Sequence, residues 1–140
     1  MQKLTVNAKV ENLNNVISYV NDILDHTSCS FKQRFAIEEA IEEIFVNIAK
    51  YAYPNSDGVA TIEAKIDDSK SYIEITFIDN GIEYNPLEKE DPDLNIPLSD
   101  RPIGGLGIFM VKNLMDEVNY KYINKQNVLT IKKIICESEK

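Results

Sequence analysis

The chain holds one histidine and two cysteines among its 140 residues. A lone His26 excludes a multi-histidine metal site and any mechanism that pairs two histidines as acid and base. Cys29 and Cys136 make no disulfide framework and have no metal-ligand spacing. There is no basic run, and 15 Lys+Arg stand against 23 Asp+Glu for a net charge of -8. A phosphate backbone demands a Lys/Arg surface that displaces counterions, so direct nucleic-acid binding is excluded. No apolar stretch approaches the roughly 20 residues that span a bilayer. The N-terminus, Met-Gln-Lys-Leu-Thr-Val, lacks the apolar core of a signal peptide. The cytosol is the expected compartment.

What remains is ordinary globular composition, 44% hydrophobic and 27% charged. A chain this long buries one sizeable core without disulfides, and a single domain over residues 1–140 is expected. Residues 4–10 alternate weakly and read as a short strand. Asn12 is placed to cap a helix to about His26, with Leu13, Val16, Ile17, Val20, Ile23 and Leu24 on one face. Over residues 31–52, Ile37, Ala40, Ile41, Ile44, Ile48 and Tyr51 recur at helical spacing and predict one apolar stripe. Pro54 ends that helix. Ile62, Ala64 and Ile66, then Ile73, Ile75 and Phe77, alternate with polar residues and predict a hairpin with one buried face. A proline-punctuated acidic stretch follows over residues 81–103. Gly104-Gly105-Leu106-Gly107 then opens a third helix, and strands over 117–123 and 127–135 close the chain around a turn at Asn124-Lys125-Gln126. The sum is an α+β two-layer sandwich: a mostly antiparallel, mixed sheet with three helices on one face.

Four places break the pattern. Glu43 and Asn47 lie four apart, on one flank of the apolar stripe. They are either a satisfied polar pair on a helix edge or an oxygen ligand for a hard cation beside a proton-accepting carboxylate. Asp79 ends the buried row Ile73, Ile75, Phe77. It either turns the chain at Asn80-Gly81 or accepts from an amino group at the bottom of a pocket. The glycines at 104, 105 and 107 let a backbone approach a phosphate at a helix N-terminus, but a glycine run alone is a weak signal. The proline-rich loop is either a solvated surface loop or a lid, with Arg101 near a phosphate.

The order of these features resembles the GHKL (Bergerat-fold) ATP-binding family, which takes in gyrase B, heat-shock protein 90, histidine kinases and MutL. Residues 42–54, Glu-Glu-Ile-Phe-Val-Asn-Ile-Ala-Lys-Tyr-Ala-Tyr-Pro, resemble its N box. Asp79-Asn80-Gly81 resembles its first glycine box, and residues 104–112 resemble its second. Within the family, the chain looks most like the small RsbW-like anti-sigma-factor serine/threonine protein kinases, which also carry a run like Met115-Asp116-Glu117-Val118.

The resemblance implies ATP and Mg²⁺ as cofactors. It implies Asn47 as the Mg²⁺ ligand, Glu43 as general base, Asp79 on the adenine amino group and Gly81 as the position where the ring approaches. Gly105, Leu106 and Gly107 would meet the phosphates. Thr130 resembles the family's pocket threonine beside the aspartate. Two positions depart from the pattern. Tyr51 stands where a histidine is common, and Glu83 replaces the second glycine of the first box. The implied function is transfer of the ATP γ-phosphoryl group to a Ser/Thr of a STAS-domain anti-anti-sigma partner, with sequestration of a sigma factor or similar regulator. Kinases of this type are often dimers, which carries a homodimer as an expectation. The altered glycine box motivates a second reading, a nucleotide-gated binding module without kinase turnover. A histidine-kinase catalytic domain fits less well, because His26 is in no dimerisation hairpin.

Overall fold

A computed structural model describes residues 3–88 and 106–135. Strand β1 (Leu4–Asn7) leads through a 3-10 turn (Val10–Asn12) into α1 (Leu13–Leu24) and α2 (Phe31–Tyr51). The hairpin β2 (Val59–Ile66) and β3 (Tyr72–Asp79) follows, then a second 3-10 turn (Pro86–Glu88), α3 (Leu106–Leu114), β4 (Glu117–Ile123) and β5 (Gln126–Ile134). The sheet order is β1-β2-β3-β5-β4. Every pairing among these strands is antiparallel, so the expected mixed sheet is corrected to a fully antiparallel one among the described residues.

Local chemistry explains the boundaries. Ser30 caps α2 with a reciprocal box: its Oγ accepts from the Gln33 amide at 3.1 Å, and its own amide donates to Gln33 Oε1 at 2.9 Å. Such a cap is worth about 1 kcal/mol. Asn12 does not cap α1. Its side chain donates to the Asn7 carbonyl at 2.9 Å instead, because the 3-10 turn places it over β1. Asn124 and Lys125 both have positive φ, 54° and 63°, the geometry of a two-residue hairpin turn that matches strand twist. Asp116 continues the β4–β5 pairing past its end: its amide donates to the Lys132 carbonyl, and its Oδ2 accepts from the Ile134 amide at 2.7 Å. That gives Asp116 a structural purpose.

The core lies between the helices and one face of the sheet. Val16, Val20 and Leu24 of α1 and Ile37, Ala40, Ile41, Ile44 and Phe45 of α2 are buried there. They meet Ile62, Ala64, Ile73, Ile75, Phe77 and Ile131 from the sheet and Ile108 and Val111 from α3. The α2 stripe does not continue to Tyr51 as its spacing predicts. Ile48 is half-buried and Tyr51 is 57% exposed, because the last turns of α2 stand over a cavity instead of the sheet.

Candidate functional site

That cavity has a volume of about 590 Å³, within the ordinary range for small-molecule sites. One wall is α2, with Ile44, Asn47, Ile48, Lys50 and Tyr51. The sheet supplies Phe77, Asp79, Tyr120, Asn127 and Leu129. Ile82, Tyr84 and Pro86, just after β3, form a third side, and Ile108 of α3 closes another. The lining is therefore mostly apolar, with a few polar groups. Such a lining buries the apolar body of a small ligand and orients it through a few polar groups.

Asp79 is the polar group at the floor. Strand parity carries it onto the buried face after Phe77, and it is only 5% exposed. Its Oδ1 accepts from the Gly81 amide at 2.8 Å and from Asn127 Nδ2 at 2.9 Å. Burial pushes its carboxyl pKa up, and the bonds from Asn127 and Gly81 oppose that rise. Both of these bonds fall on Oδ1, which leaves Oδ2 as the acceptor for the cavity. Tyr53, at the end of α2, braces the same corner. Its phenol donates to the Val59 carbonyl at 2.6 Å and accepts from the Asn80 amide at 2.8 Å.

Gly81 has a packing role at this corner. A Cβ there would lie 2.3 Å from the Ala52 carbonyl oxygen, so the backbone after β3 sits directly against the end of α2. The Ile82 amide donates to that same carbonyl at 3.0 Å.

Glu43 and Asn47 do meet. Asn47 Nδ2 donates to Glu43 Oε2 at 3.2 Å. A carboxylate only accepts, so this bond turns the amide oxygen of Asn47 away from Glu43. A neutral oxygen on the cavity wall is a ligand type that fits Mg²⁺, which keeps waters and substrate oxygens and needs few protein ligands. Among the described residues no group of three or more His, Cys, Asp or Glu is placed to hold a metal alone. Gly107 sits over the Glu43 carboxylate: a Cβ there would lie 2.0 Å from Oε2. Its missing side chain is what lets the first turn of α3 close on Glu43.

Thr130 is elsewhere. It pairs with Thr76 across the β3–β5 ladder, and their hydroxyls lie 3.2 Å apart on the sheet face away from the helices. Side chains alternate along a strand, so Thr130 and Asp79 cannot share a face. The residue beside Asp79 is Asn127, its cross-strand partner. The implied pocket role of Thr130 is thereby corrected. Arg101, Gly104 and Gly105 lie outside the described residues, as does Cys136. Leu106 begins α3, whose first turn borders the cavity through Ile108.

Sequence reasoning missed Asn127, Lys50 and the brace at Tyr53. Lys50 is the only basic residue among the described residues that line the cavity. Its signal was legible: it lies three residues after Asn47, one turn along the same helix.

Comparison with known proteins places the chain in a family and agrees with the fold. The family described as the histidine kinase-like ATPase domain matches residues 6–133. The serine-protein kinase RsbW of Bacillus mycoides (strain KBAB4) is 32% identical over 99 residues, which cover 68% of this chain and 61% of that protein. The serine-protein kinase RsbW of Bacillus cereus (strain AH187) is 25% identical over 136 residues, 94% of this chain and 84% of that protein. The aligned part of the first relative is thus less than two thirds of its length. Among solved structures, the RsbU and RsbW domains of a Mycobacterium tuberculosis protein superpose with a TM-score of 0.64 at 13% identity, covering 96% of this chain and 33% of that one. The histidine kinase domain of a blue-light activated kinase from Erythrobacter litoralis gives 0.59 at 15% identity, covering 90% of this chain and 60% of that one. These two likenesses concern the fold. The family match spans every described residue that lines the cavity, and the chain belongs to the histidine kinase-like ATPase domain family.

Proposed function

We propose that the chain is an ATP-dependent serine/threonine protein kinase of the anti-sigma-factor type, acting in the cytoplasm. Its substrate would be a Ser/Thr hydroxyl on a STAS-domain partner, and a sigma factor or similar regulator would be held in the alternative state. The observation that supports this best is the meeting, around one cavity, of a buried and half-satisfied Asp79 with Asn47, whose amide is bonded in turn to Glu43 one turn back along α2. The names of the Bacillus relatives support the kinase reading.

In this reading the adenine ring lies in the apolar slot, and Asp79 Oδ2 accepts from its amino group. The triphosphate runs toward the first turn of α3, where backbone amides favour anions. Lys50 adds a positive charge on the α2 wall of an otherwise acidic protein. Mg²⁺, when bound, neutralises developing charge on the phosphates. Asn47 would hold it by its amide oxygen. The hydroxyl oxygen of the partner attacks the γ-phosphorus, the bond to the β–γ bridging oxygen breaks, and ADP leaves. Glu43 takes the hydroxyl proton.

The test is Glu43→Gln. It is expected to keep ADP affinity and to lower phosphoryl transfer roughly 100- to 10,000-fold, the usual weight of a general base. Transfer is measured with labelled ATP, Mg²⁺ and the partner recovered by pull-down, followed by phosphosite mapping. Wild-type transfer by the variant would remove Glu43 from this role. Nucleotide binding with no phosphorylated partner from either protein would favour the nucleotide-gated module.

A further inference from the structure

Asn127 lies at the base end of the cavity, 7% exposed, and all of its hydrogen-bonding capacity is used inside the protein. Its Nδ2 donates to Asp79 Oδ1 at 2.9 Å and to the Ile82 carbonyl at 2.8 Å. Its Oδ1 accepts from the Tyr84 amide at 3.1 Å and from the Tyr120 phenol. A primary amide has two donors and two acceptor sites, so none is left for a ligand. Asn127 therefore acts on what surrounds it.

It acts in two directions. Toward the sheet it occupies Oδ1 of Asp79 together with the Gly81 amide. That fixes the plane of the carboxylate and leaves the cavity only an acceptor. Toward solvent it ties down Ile82 and Tyr84, which line the cavity just after β3. This is the stretch where Glu83 replaces the expected second glycine. A loop with fewer glycines is stiffer, and a saturated amide holds it in one place.

We infer that Asn127 is the positioning and specificity-determining residue of the base end: it commits one Asp79 oxygen to the protein, leaves the other to read an amino group, and holds the facing wall in place. The inference rests on the nucleotide reading above. The ligand it selects is a 6-aminopurine. A 6-oxopurine brings an acceptor to the same spot, where it meets a carboxylate that only accepts. Sites that bond a polar group of one ligand reject the analogue that lacks it, since the buried partner is left unpaired.

The titratable groups around Asp79 are Tyr53 from just after α2, Tyr120 from β4, Tyr84 from the loop and Lys50 and Tyr51 on the α2 wall of the cavity, with Glu83 and Tyr122 acting on Tyr120. Burial pushes the Tyr53 and Tyr120 phenols up, so both stay neutral near pH 7. Changing Asn127→Asp places a second acceptor against Asp79. At high pH the two carboxylates repel, and the introduced group cannot donate. As pH falls the pair takes up one proton, and the donor toward Asp79 returns.

The experiment is calorimetric binding of ADP and of inosine diphosphate to the full chain and to Asn127→Leu and Asn127→Asp, with thermal unfolding recorded in parallel. The unmodified chain is expected to prefer ADP by about 100-fold or more. Asn127→Leu is expected to shrink that ratio at least about tenfold, beyond any equal loss for both ligands. Asn127→Asp is expected to gain ADP affinity from about pH 8 to about pH 6, where the unmodified chain gains none. Should Asn127→Leu fail to fold, that pH slope decides. An unchanged ratio in a folded Asn127→Leu, or equal losses for both nucleotides, overturns the inference, as does an Asn127→Asp profile parallel to the unmodified one. No ADP binding by the unmodified chain overturns the nucleotide reading itself, a separate arm of the same experiment.

Discussion

The β2–β3 hairpin carries an aspartate at each end, and the two are opposites. Asp67, at the turn, accepts four hydrogen bonds: Oδ1 from the amides of Ser71 and Tyr72, Oδ2 from the hydroxyls of Ser69 and Ser71. The Ser69 and Ser71 hydroxyls foremost, then those amides, hold its carboxyl well below the usual range. Asp79, at the open end, accepts two, both on Oδ1, and burial pushes its carboxyl up. A carboxylate saturated by its own turn has finished its work within the fold. A buried carboxylate left half-satisfied beside a cavity is a cost the fold bears, and a ligand donor relieves it.

The two ends also contribute to stability with opposite pH dependence. Asp67 has a lowered pKa, so its contribution is present above the ordinary carboxylate value and is lost as pH falls through its folded value. It lies half-buried at the surface turn, and solvent screening keeps that contribution small. Asp79 has a raised pKa, so its contribution is fully present below the ordinary carboxylate value and is lost as pH rises through its folded value.

The sharpest way to break this comparison is Asp79→Asn. ADP affinity is expected to fall about 100-fold, since a charged acceptor inside the slot is replaced by a neutral amide. The thermal midpoint at pH 7 is expected to stay level or rise, because a buried charge is removed. Calorimetry and thermal unfolding on the same preparation check both, and an affinity loss accompanied by an equal loss of fold would sink the contrast.

Next in size is a comparison of glycines at the two ends of the site. Gly107→Ala pushes on the mobile tip of Glu43, so phosphoryl transfer is expected to drop at least about tenfold while unfolding hardly changes. Gly81→Ala pushes on the Ala52 backbone, which cannot swing aside, and the thermal midpoint itself is expected to fall. Kinase assays and melts that came out the other way round would show that Gly107 is not set by Glu43.

A smaller effect is expected from pH. ADP affinity should weaken on acidification from a pH above the ordinary carboxylate range, and Asp79→Asn should flatten that profile. Smallest of all is Asp67→Ala: a lower thermal midpoint with ADP affinity within about twofold of the unmodified chain. A strong affinity loss there would mean that the two ends of the hairpin are coupled.

Much of the fold was legible because it rests on short-range periodicity. The alternation around Ile62–Ala64 and Ile73–Phe77 fixed the hairpin and its buried face, and Asp79 at the end of that row was visible by parity alone. Ser30 and Gln33 announced the α2 cap at their three-residue spacing, though the helix start was read without them. Glu43 and Asn47 met because helical spacing is local. Thr130 failed for the same physical reason in reverse. Its place beside Asp79 depended on which residue of β5 lies opposite which residue of β3, and one step of register changes the face.

The sequence by itself determined the elements, the apolar faces, the acidic balance and the side chains available for chemistry, because each follows from neighbours in the chain. Tertiary structure decided which of those side chains meet. Strand register set Asn127 and not Thr130 against Asp79, and the close approach of α3 set Gly107 over Glu43. The end of α2 opened over a cavity that took Tyr51 out of the core pattern and set Lys50 on its wall. Those pairings join residues tens of positions apart, and packing in three dimensions alone brings them together.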